Sequence, residues 1–309
     1  MSRAASRRLG RRVAAGEAGQ RLDRLLEGWL PELLGGPVSR AAVRRLVMAG
    51  AVHAGGRPLR RPGATLRSGT RIDAIVDPAR LGPRPGEREA ASGFGSERFL
   101  YRDAFLLAVD KPAGLPMHAT ADKARPNLYD VVTALLHTER PEPYLGLHQR
   151  LDRDTSGVVL FTLDPIANAP LAGGFAAGRV AKTYHALCAR PRQPPPAAWR
   201  ESGRLGGDGP MAETAFRILR TLPRALLVEA RPSTGRKHQI RIQLAGRGLP
   251  ILGDARYGSR DGAARRVMLH ALRLELDHPV TGAPLAVTSP YPDDFRELLV
   301  TRPGGRARS

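Results

Sequence analysis

The residues with the most chemical potential lie in HQRLDRDTSG, from His148 to Gly157, directly ahead of an apolar run. Two carboxylates, Asp152 and Asp154, stand there beside Arg150 and Arg153. A carboxylate next to a guanidinium keeps its charge in a dry site and can act as nucleophile or base. The same residues also describe a charged loop stitched by ion pairs, and a carboxylate pair describes a glycosidase-like hydrolase. Three further polar segments lie close to apolar ones: KTYHALCA from Lys182, GRKHQIRIQL from Gly235 to Leu244, and GDARYG from Gly253 to Gly258. Polar motifs that each abut a strand suggest one site assembled from several sheet edges. Taken singly, Tyr184 and His238 read as structural. No P-loop, no GxGxxG after a strand, no HExxH and no GxSxG occurs, so no cofactor and no metal is expected.

The elements that must position these residues fall into two groups. Leu22, Leu25, Leu26, Trp29 and Leu30 recur at helical spacing, and Pro31 marks the end of that run. Ser39 is a good N-cap for a second stripe, Val43, Leu46 and Val47, which stops at Gly50. Extended segments are expected at 51–53 and 71–76, joined by turn-rich sequence. Residues 1–18 carry five arginines and no apolar period, and read as a flexible basic arm. Residues 78–96 are rich in Pro, Gly and charge, as an interdomain linker would be. Beyond them, strands are expected at 105–110, 157–163, 183–189 and 225–232, with a helix over 128–136. The expected organisation is an arm (1–18), a small α/β module (19–77), a linker (78–96), a domain over 97–300 and a basic tail (301–309). The fold class is α+β, with a mixed, largely antiparallel sheet in the larger domain.

Composition narrows the partner. The 309 residues hold 49 Lys+Arg against 29 Asp+Glu, a net charge of +20, which calls for a polyanion. Only Lys111, Lys123, Lys182 and Lys237 are lysines; the rest of the positive charge is Arg, which grips phosphate bidentately and stacks on bases. Arg21, Arg24, Arg40, Arg44 and Arg45 ride on the first module and are its candidate RNA contacts. An aromatic content of 5% and this charge argue against the sugar-cleft hydrolase. The single cysteine, Cys188, excludes an internal disulfide and a cysteine zinc cluster, and fits a cytoplasmic home. No apolar run is long enough for a membrane span, and a monomer is expected.

HQRLDRDTSG, the K-x-Y segment at Lys182, GRKHQIR and GDxxYG, in this order, resemble the motifs of the RluA-type family of RNA pseudouridine synthases over nearly all of 97–298. Residues 19–77 are similar to the small alpha-L RNA-binding module that many such enzymes carry. Gln149 departs from the pattern by separating His148 from Arg150, and His53-Ala54-Gly55-Gly56 replaces the module's usual Val-Asn-Gly turn. The resemblance implies a catalytic domain of pseudouridine synthase type that isomerises uridine without a cofactor. It assigns Asp152 as the essential carboxylate, Arg241 as its partner and Tyr184 as the residue that stacks on uracil, leaving Asp154 a loop role. A uridine in a helix must be flipped out to react, and the resemblance makes Arg150 the candidate to fill the gap. Large-subunit ribosomal RNA is the favoured substrate, with transfer RNA the other possibility. A different class of function, a non-catalytic RNA-binding or ribosome-assembly factor, is disfavoured because Asp152, Tyr184 and Arg241 are all present.

Overall fold

The computed structural model describes residues 7–34, 38, 40–48, 50–76, 91–118, 126–139, 141–191, 193–205, 209–258 and 264–300. The chain divides into two compact units, Met1–Ser92 with His118–Asp130, and Gly93–Met117 with Val131–Ser309.

In the first unit, helices α1 (Leu22–Leu34) and α2 (Arg40–Met48) share a core with a four-stranded sheet of order β1-β4-β2-β3. The strands are β1 (Arg7–Arg12), β2 (Val52–Ala54), β3 (Arg57–Leu59) and β4 (Arg71–Val76). Leu22, Leu26, Leu30, Val43, Val47 and Ile72 form that core, one stripe from each helix and one face of the sheet. Two expectations are corrected here. The stretch read as a flexible arm contains β1, paired antiparallel to β4 from Arg7↔Val76 to Arg12↔Arg71. Its arginines are held by acceptors: Arg8 meets Asp73, Arg11 meets Glu17, and Arg12 donates to the Gly69 carbonyl, while Leu9 packs on the core. Pro31 also does not end α1, which runs on to Leu34. Proline costs the Glu27 carbonyl its helical donor but leaves the buried Leu30 in register. Gly50 does end the α2 segment: with φ of 75° its N–H reaches the Val47 carbonyl and that of Ala51 reaches Leu46. Ser39 lies outside the described residues.

The second unit is built on one sheet of order β10-β11-β12-β9-β13-β8-β6-β5, with β7 added to β8 and β14 to β13. In chain order the strands are β5 (Phe99–Arg102), β6 (Leu106–Lys111), β7 (Gly146–Leu147), β8 (Ser156–Thr162) and β9 (Ala181–Ala189). There follow β10 (Ala198–Arg204), β11 (Met211–Thr221), β12 (Ala225–Pro232), β13 (Leu269–Asp277) and β14 (Pro284–Thr288). All pairings are antiparallel apart from β13 with β8, the mixed, largely antiparallel α+β fold expected. Helices α3 (Leu128–His137), α4 (Asn168–Ala176), α5 (Gln239–Gly246) and α6 (Asp293–Val300) complete the chain. β8, buried at every position and apolar from Val158 to Phe161, is a central strand with covered faces, which is why it reads as a hydrophobic run. Leu244 of α5 and Phe295 of α6 belong to one apolar cluster, and Leu171 of α4 to another with Leu106 and Leu160. Of the expected linker, 78–90 lies outside the described residues, as do 1–6 and the tail 301–309. Its last residues belong to the second unit, because Phe94 is buried there with the Arg98 guanidinium 5.9 Å from its ring centre.

Where β8 and β13 run parallel, His270 lies opposite Ser156. His270 is fully buried; its Nδ1 sits 3.0 Å from Ser156 Oγ and its Nε2 3.3 Å from the Ser289 carbonyl oxygen. A carbonyl only accepts, so Nε2 carries the hydrogen and Nδ1 accepts from the serine. Burial lowers its pKa from 6.5 to about 4. Between those values the unfolded chain binds a proton that the folded chain refuses, so stability falls as pH falls through this window, by about 3 kcal/mol in all. The melting temperature of the wild type is therefore expected to drop more steeply from pH 6.5 to 4 than that of His270→Gln; equal drops in the two proteins would rule the effect out.

Candidate active site

Asp152 lies in the loop between β7 and β8, and its shape is set from below. Lys111, the last residue of β6, is fully buried. Its Nζ donates to three carbonyls, of Pro112 at 2.9 Å, Arg153 at 2.9 Å and Thr155 at 2.8 Å. Burial pulls its pKa down to about 7, opposed by the nearby charges of Asp154 and Asp152. Three carbonyls need three N–H donors, which only the ammonium form supplies. The turn is closed by the Thr155 N–H on the Asp152 carbonyl at 3.1 Å and by the Gly114 N–H on that of Arg153 at 2.9 Å. Gly157 then feeds the loop into β8 with φ of 118°, and a Cβ there would lie 2.2 Å from the Ala271 carbonyl oxygen, so no other residue fits.

Arg241, on the first turn of α5, reaches Asp152 from the other side of the cleft, Nη1 to Oδ2 at 2.8 Å. Its Nε and Nη2 grip both oxygens of Asp254 at 2.7 and 2.9 Å. Burial disfavours the charge of Arg241, but the hydrogen bonds it donates to Asp254 and Asp152 outweigh it and hold the pKa above its ordinary value. Asp254 shows the converse: burial raises its pKa, and the guanidinium more than compensates, leaving it lowered. Gln239 anchors the start of α5, donating to the Glu213 carbonyl and Thr214 Oγ1 and accepting from Thr234 Oγ1 and the Arg236 N–H. The helix begins after His238, which has φ of 58°, a left-handed conformation rare outside glycine. Its Nε2 lies 3.5 Å from Asp152 Oδ1 and its Nδ1 2.9 Å from the Tyr257 hydroxyl. Burial lowers its pKa against the pull of Asp152, and the imidazole is neutral at neutral pH.

Tyr184 stands mid-strand on β9, opposite Ala230 of β12 and Ala271 of β13. It lines one cleft with Asp152, Arg150, His238 and Arg241. Burial and the Asp152 charge raise its pKa, so its hydroxyl stays protonated. Thus Asp152, Tyr184 and Arg241, from three motifs far apart in the chain, come together, with the exposed Arg150 at the rim. Asp154 does not line the cleft; its carboxylate binds Arg153 at 2.7 Å through both oxygens. His148 is turned elsewhere, its Nε2 3.0 Å from Asn168 Oδ1, and the inserted Gln149 donates to the Val158 carbonyl. Among the described residues no group of His, Cys, Asp and Glu is placed to hold a metal ion.

Sequence reasoning left Lys111, Asp254, Tyr257 and His238 without roles in this site. The signals were faint: Lys111 is one of four lysines in a chain whose cations are otherwise Arg, and Asp254 and Tyr257 belong to GDARYG. On the first unit, Arg24 and Arg44 are exposed. Arg21 is exposed as well but spends Nε and Nη2 on the buried Asp23 at 3.0 and 2.9 Å. Arg40 and Arg45 lie on α2, but their side chains are outside the described set. Arg44 lines a groove with two arginines not singled out by the sequence, Arg60 and Arg61.

A family model described as RNA pseudouridylate synthase matches residues 105–246. The chain is 31% identical over 93% of its own length and 93% of the relative's to ribosomal large subunit pseudouridine synthase C of Yersinia pestis. It is 34% identical to tRNA pseudouridine synthase C of Salmonella typhi over 65% of this chain and 87% of that one. Among solved structures, human RNA pseudouridylate synthase domain containing 4 superposes with a TM-score of 0.56 at 25% identity, over 69% of this chain and 95% of that chain.

The dependence of the loop on Lys111 is open to direct test. Lys111→Met keeps the apolar stem but takes one donor from each of three carbonyls, of which that of Arg153 keeps the Gly114 N–H, and a buried carbonyl left without a donor costs about 1–3 kcal/mol. The urea midpoint is expected to fall by the equivalent of about 3 kcal/mol or more. A midpoint within error of the wild type would mean that the loop holds without the lysine.

Proposed function

The chain belongs to the RluA-type family of RNA pseudouridine synthases, isomerases of uridine in RNA, and from that premise we propose that it modifies large-subunit ribosomal RNA with Asp152 as the essential carboxylate. The observation that carries the reading is the 2.8 Å ion pair between Arg241 and Asp152 in a cleft walled by Tyr184. The reaction breaks the bond from ribose to uracil N1, turns the base over and joins ribose to carbon five, which gives up its proton while N1 takes one up. Asp152 starts it, either by adding to the nucleotide or by taking a sugar proton so that the base detaches. Arg241 holds the carboxylate in place and aims it through their ion pair. Tyr184 stacks its ring on the uracil, and its protonated hydroxyl passes the carbon-five proton on by accepting as it donates. Arg150, exposed at the rim, fills the gap left by the flipped nucleotide. No cofactor enters these steps.

The substrate class follows from the relatives named for the ribosomal large subunit, with the relative named for tRNA as the competing case. Residues 19–77 serve as an alpha-L RNA-binding module, gripping phosphate through Arg24, Arg40, Arg44 and Arg45, joined by Arg60 and Arg61 and, in part, by Arg21. The enzyme acts as a monomer in the cytoplasm; no described helix is long and apolar enough to cross a membrane.

Transcribed ribosomal and transfer RNA carrying tritium at carbon five of uridine should lose it to water with the wild type and keep it with Asp152→Asn. Release from ribosomal RNA alone supports the full reading, and release from transfer RNA alone moves the substrate. Release by neither protein, with salt-sensitive RNA binding retained, would favour the assembly-factor reading. Replacing Arg44, Arg60 and Arg61 by alanine should lower the slope of log affinity against log salt by about 2–3. An unchanged slope would take the groove out of the RNA contact.

A further inference from the structure

We propose that the turn Gly253–Gly258 is a positioning device for the nucleophile, Asp254 aiming Arg241 at one oxygen of Asp152 and Tyr257 aiming His238 at the other. The proposal rests on the reaction assigned above and adds two residues that touch neither the substrate nor Asp152.

Asp254 is 1% exposed, and each of its oxygens is used. Oδ2 accepts from Arg241 Nε, and Oδ1 accepts from Arg241 Nη2 and from the backbone N–H groups of Arg256 and Tyr257 at 3.1 and 3.2 Å. A carboxylate held by two amides of its own turn cannot rotate, so the planar guanidinium it grips bidentately is fixed in orientation as well as distance. The remaining nitrogen, Nη1, therefore has one direction in which to point, and Asp152 Oδ2 lies there. The turn is itself immobilised: Gly253 has φ of 73°, and a Cβ on it would lie 1.9 Å from the Arg266 carbonyl oxygen.

Tyr257 acts on the second partner. Its ring carries the Arg241 guanidinium 5.2 Å from its centre and meets the His238 ring at 79°, centres 5.6 Å apart. A tyrosine hydroxyl that donates to Nδ1 leaves the hydrogen of a neutral imidazole on Nε2, the nitrogen 3.5 Å from Asp152 Oδ1. His238 accordingly presents a neutral donor to the oxygen that Arg241 leaves open. The left-handed backbone of His238 fits this role, since strain of that kind persists where the surroundings over-determine it.

A turn that only stabilises the fold would give the same contacts, so the test must isolate action through Arg241. Single-turnover pseudouridine formation and RNA binding are measured for wild type, Asp254→Asn, Arg241→Lys and the double variant, with circular dichroism as the check on folding. Asp254→Asn is expected to slow the chemical step about 10–100-fold with RNA affinity unchanged within about 2-fold. The double variant is expected to be no slower than Arg241→Lys, because the aspartate has nothing left to aim. Tyr257→Phe keeps the ring and the turn and loses only the hydroxyl; its chemical step is expected to slow about 3–10-fold, again with affinity retained. Losses that multiply in the double variant, affinity that falls as far as rate, or rates within about 2-fold of wild type for both single variants would each overturn the proposal. Should Asp254→Asn fail to fold, Tyr257→Phe decides alone, a rate within about 2-fold of wild type overturning the device. A wild type that forms no pseudouridine overturns the assigned reaction instead, so the two failures are distinct.

Discussion

The constraint on which the site depends is a buried arginine shared by two carboxylates. Burying a guanidinium against two carboxylates costs several kcal/mol in lost hydration, and attraction offsets that only when geometry is near ideal and each nitrogen has a partner. Arg241 meets the condition: Nε and Nη2 go to Asp254 and Nη1 to Asp152. The arrangement brings three segments together, the loop before β8, the first turn of α5 and the turn before β13. Sheet order makes this possible. β8, β13 and β9 are neighbours, so the Asp152 loop and the strand carrying Tyr184 flank the strand that the Asp254 turn precedes. Separations of 89 residues from Arg241 to Asp152 and 13 to Asp254 are closed by the fold and not by local sequence.

A second buried cation supports the first. Lys111 and Arg241 lie on opposite sides of the Asp152 loop and do different work, in keeping with their shapes. A flexible stem ending in three divergent donors suits three carbonyls of a tight turn, whereas a rigid fork suits two carboxylates. That one of so few lysines in an Arg-rich chain occupies this place follows from the geometry: a guanidinium is too broad to enter a cage of three carbonyls within 2.9 Å.

Much of this architecture is legible in the sequence, and the reasons for the rest are physical. β6, β8, β9 and β12 show as apolar runs because they are buried, and the Asp152 loop shows because two carboxylates and two arginines seldom crowd together before such a run. β1 does not show, since its arginines mask one half-buried leucine and its pairing partner lies some sixty residues on. Pro31 signals a stop that α1 ignores, local propensity yielding to the burial of Leu30. Asp254 reads as an ordinary turn residue, because its role exists only once Arg241 arrives. Arg21 looks as free as Arg24, yet the buried Asp23 claims it.

Charge in the second unit is sorted by depth, and the sorting bears on substrate entry. At the floor of the cleft two carboxylates share one guanidinium, with His238 neutral beside them and the Lys111 ammonium under the Asp152 loop. At the rim stands the exposed Arg150, on a protein whose overall charge is +20. A phosphate is attracted to the rim and finds Arg241 on the floor already engaged by two carboxylates, whereas a uracil ring carries no net charge and needs no such partner. The field that concentrates RNA at the surface therefore also decides which part of a nucleotide can approach Asp152. The carboxylate can then be held by one buried arginine without that arginine being captured by the polyanion outside, because Asp254 already occupies two of its nitrogens, the pair that a phosphate would grip.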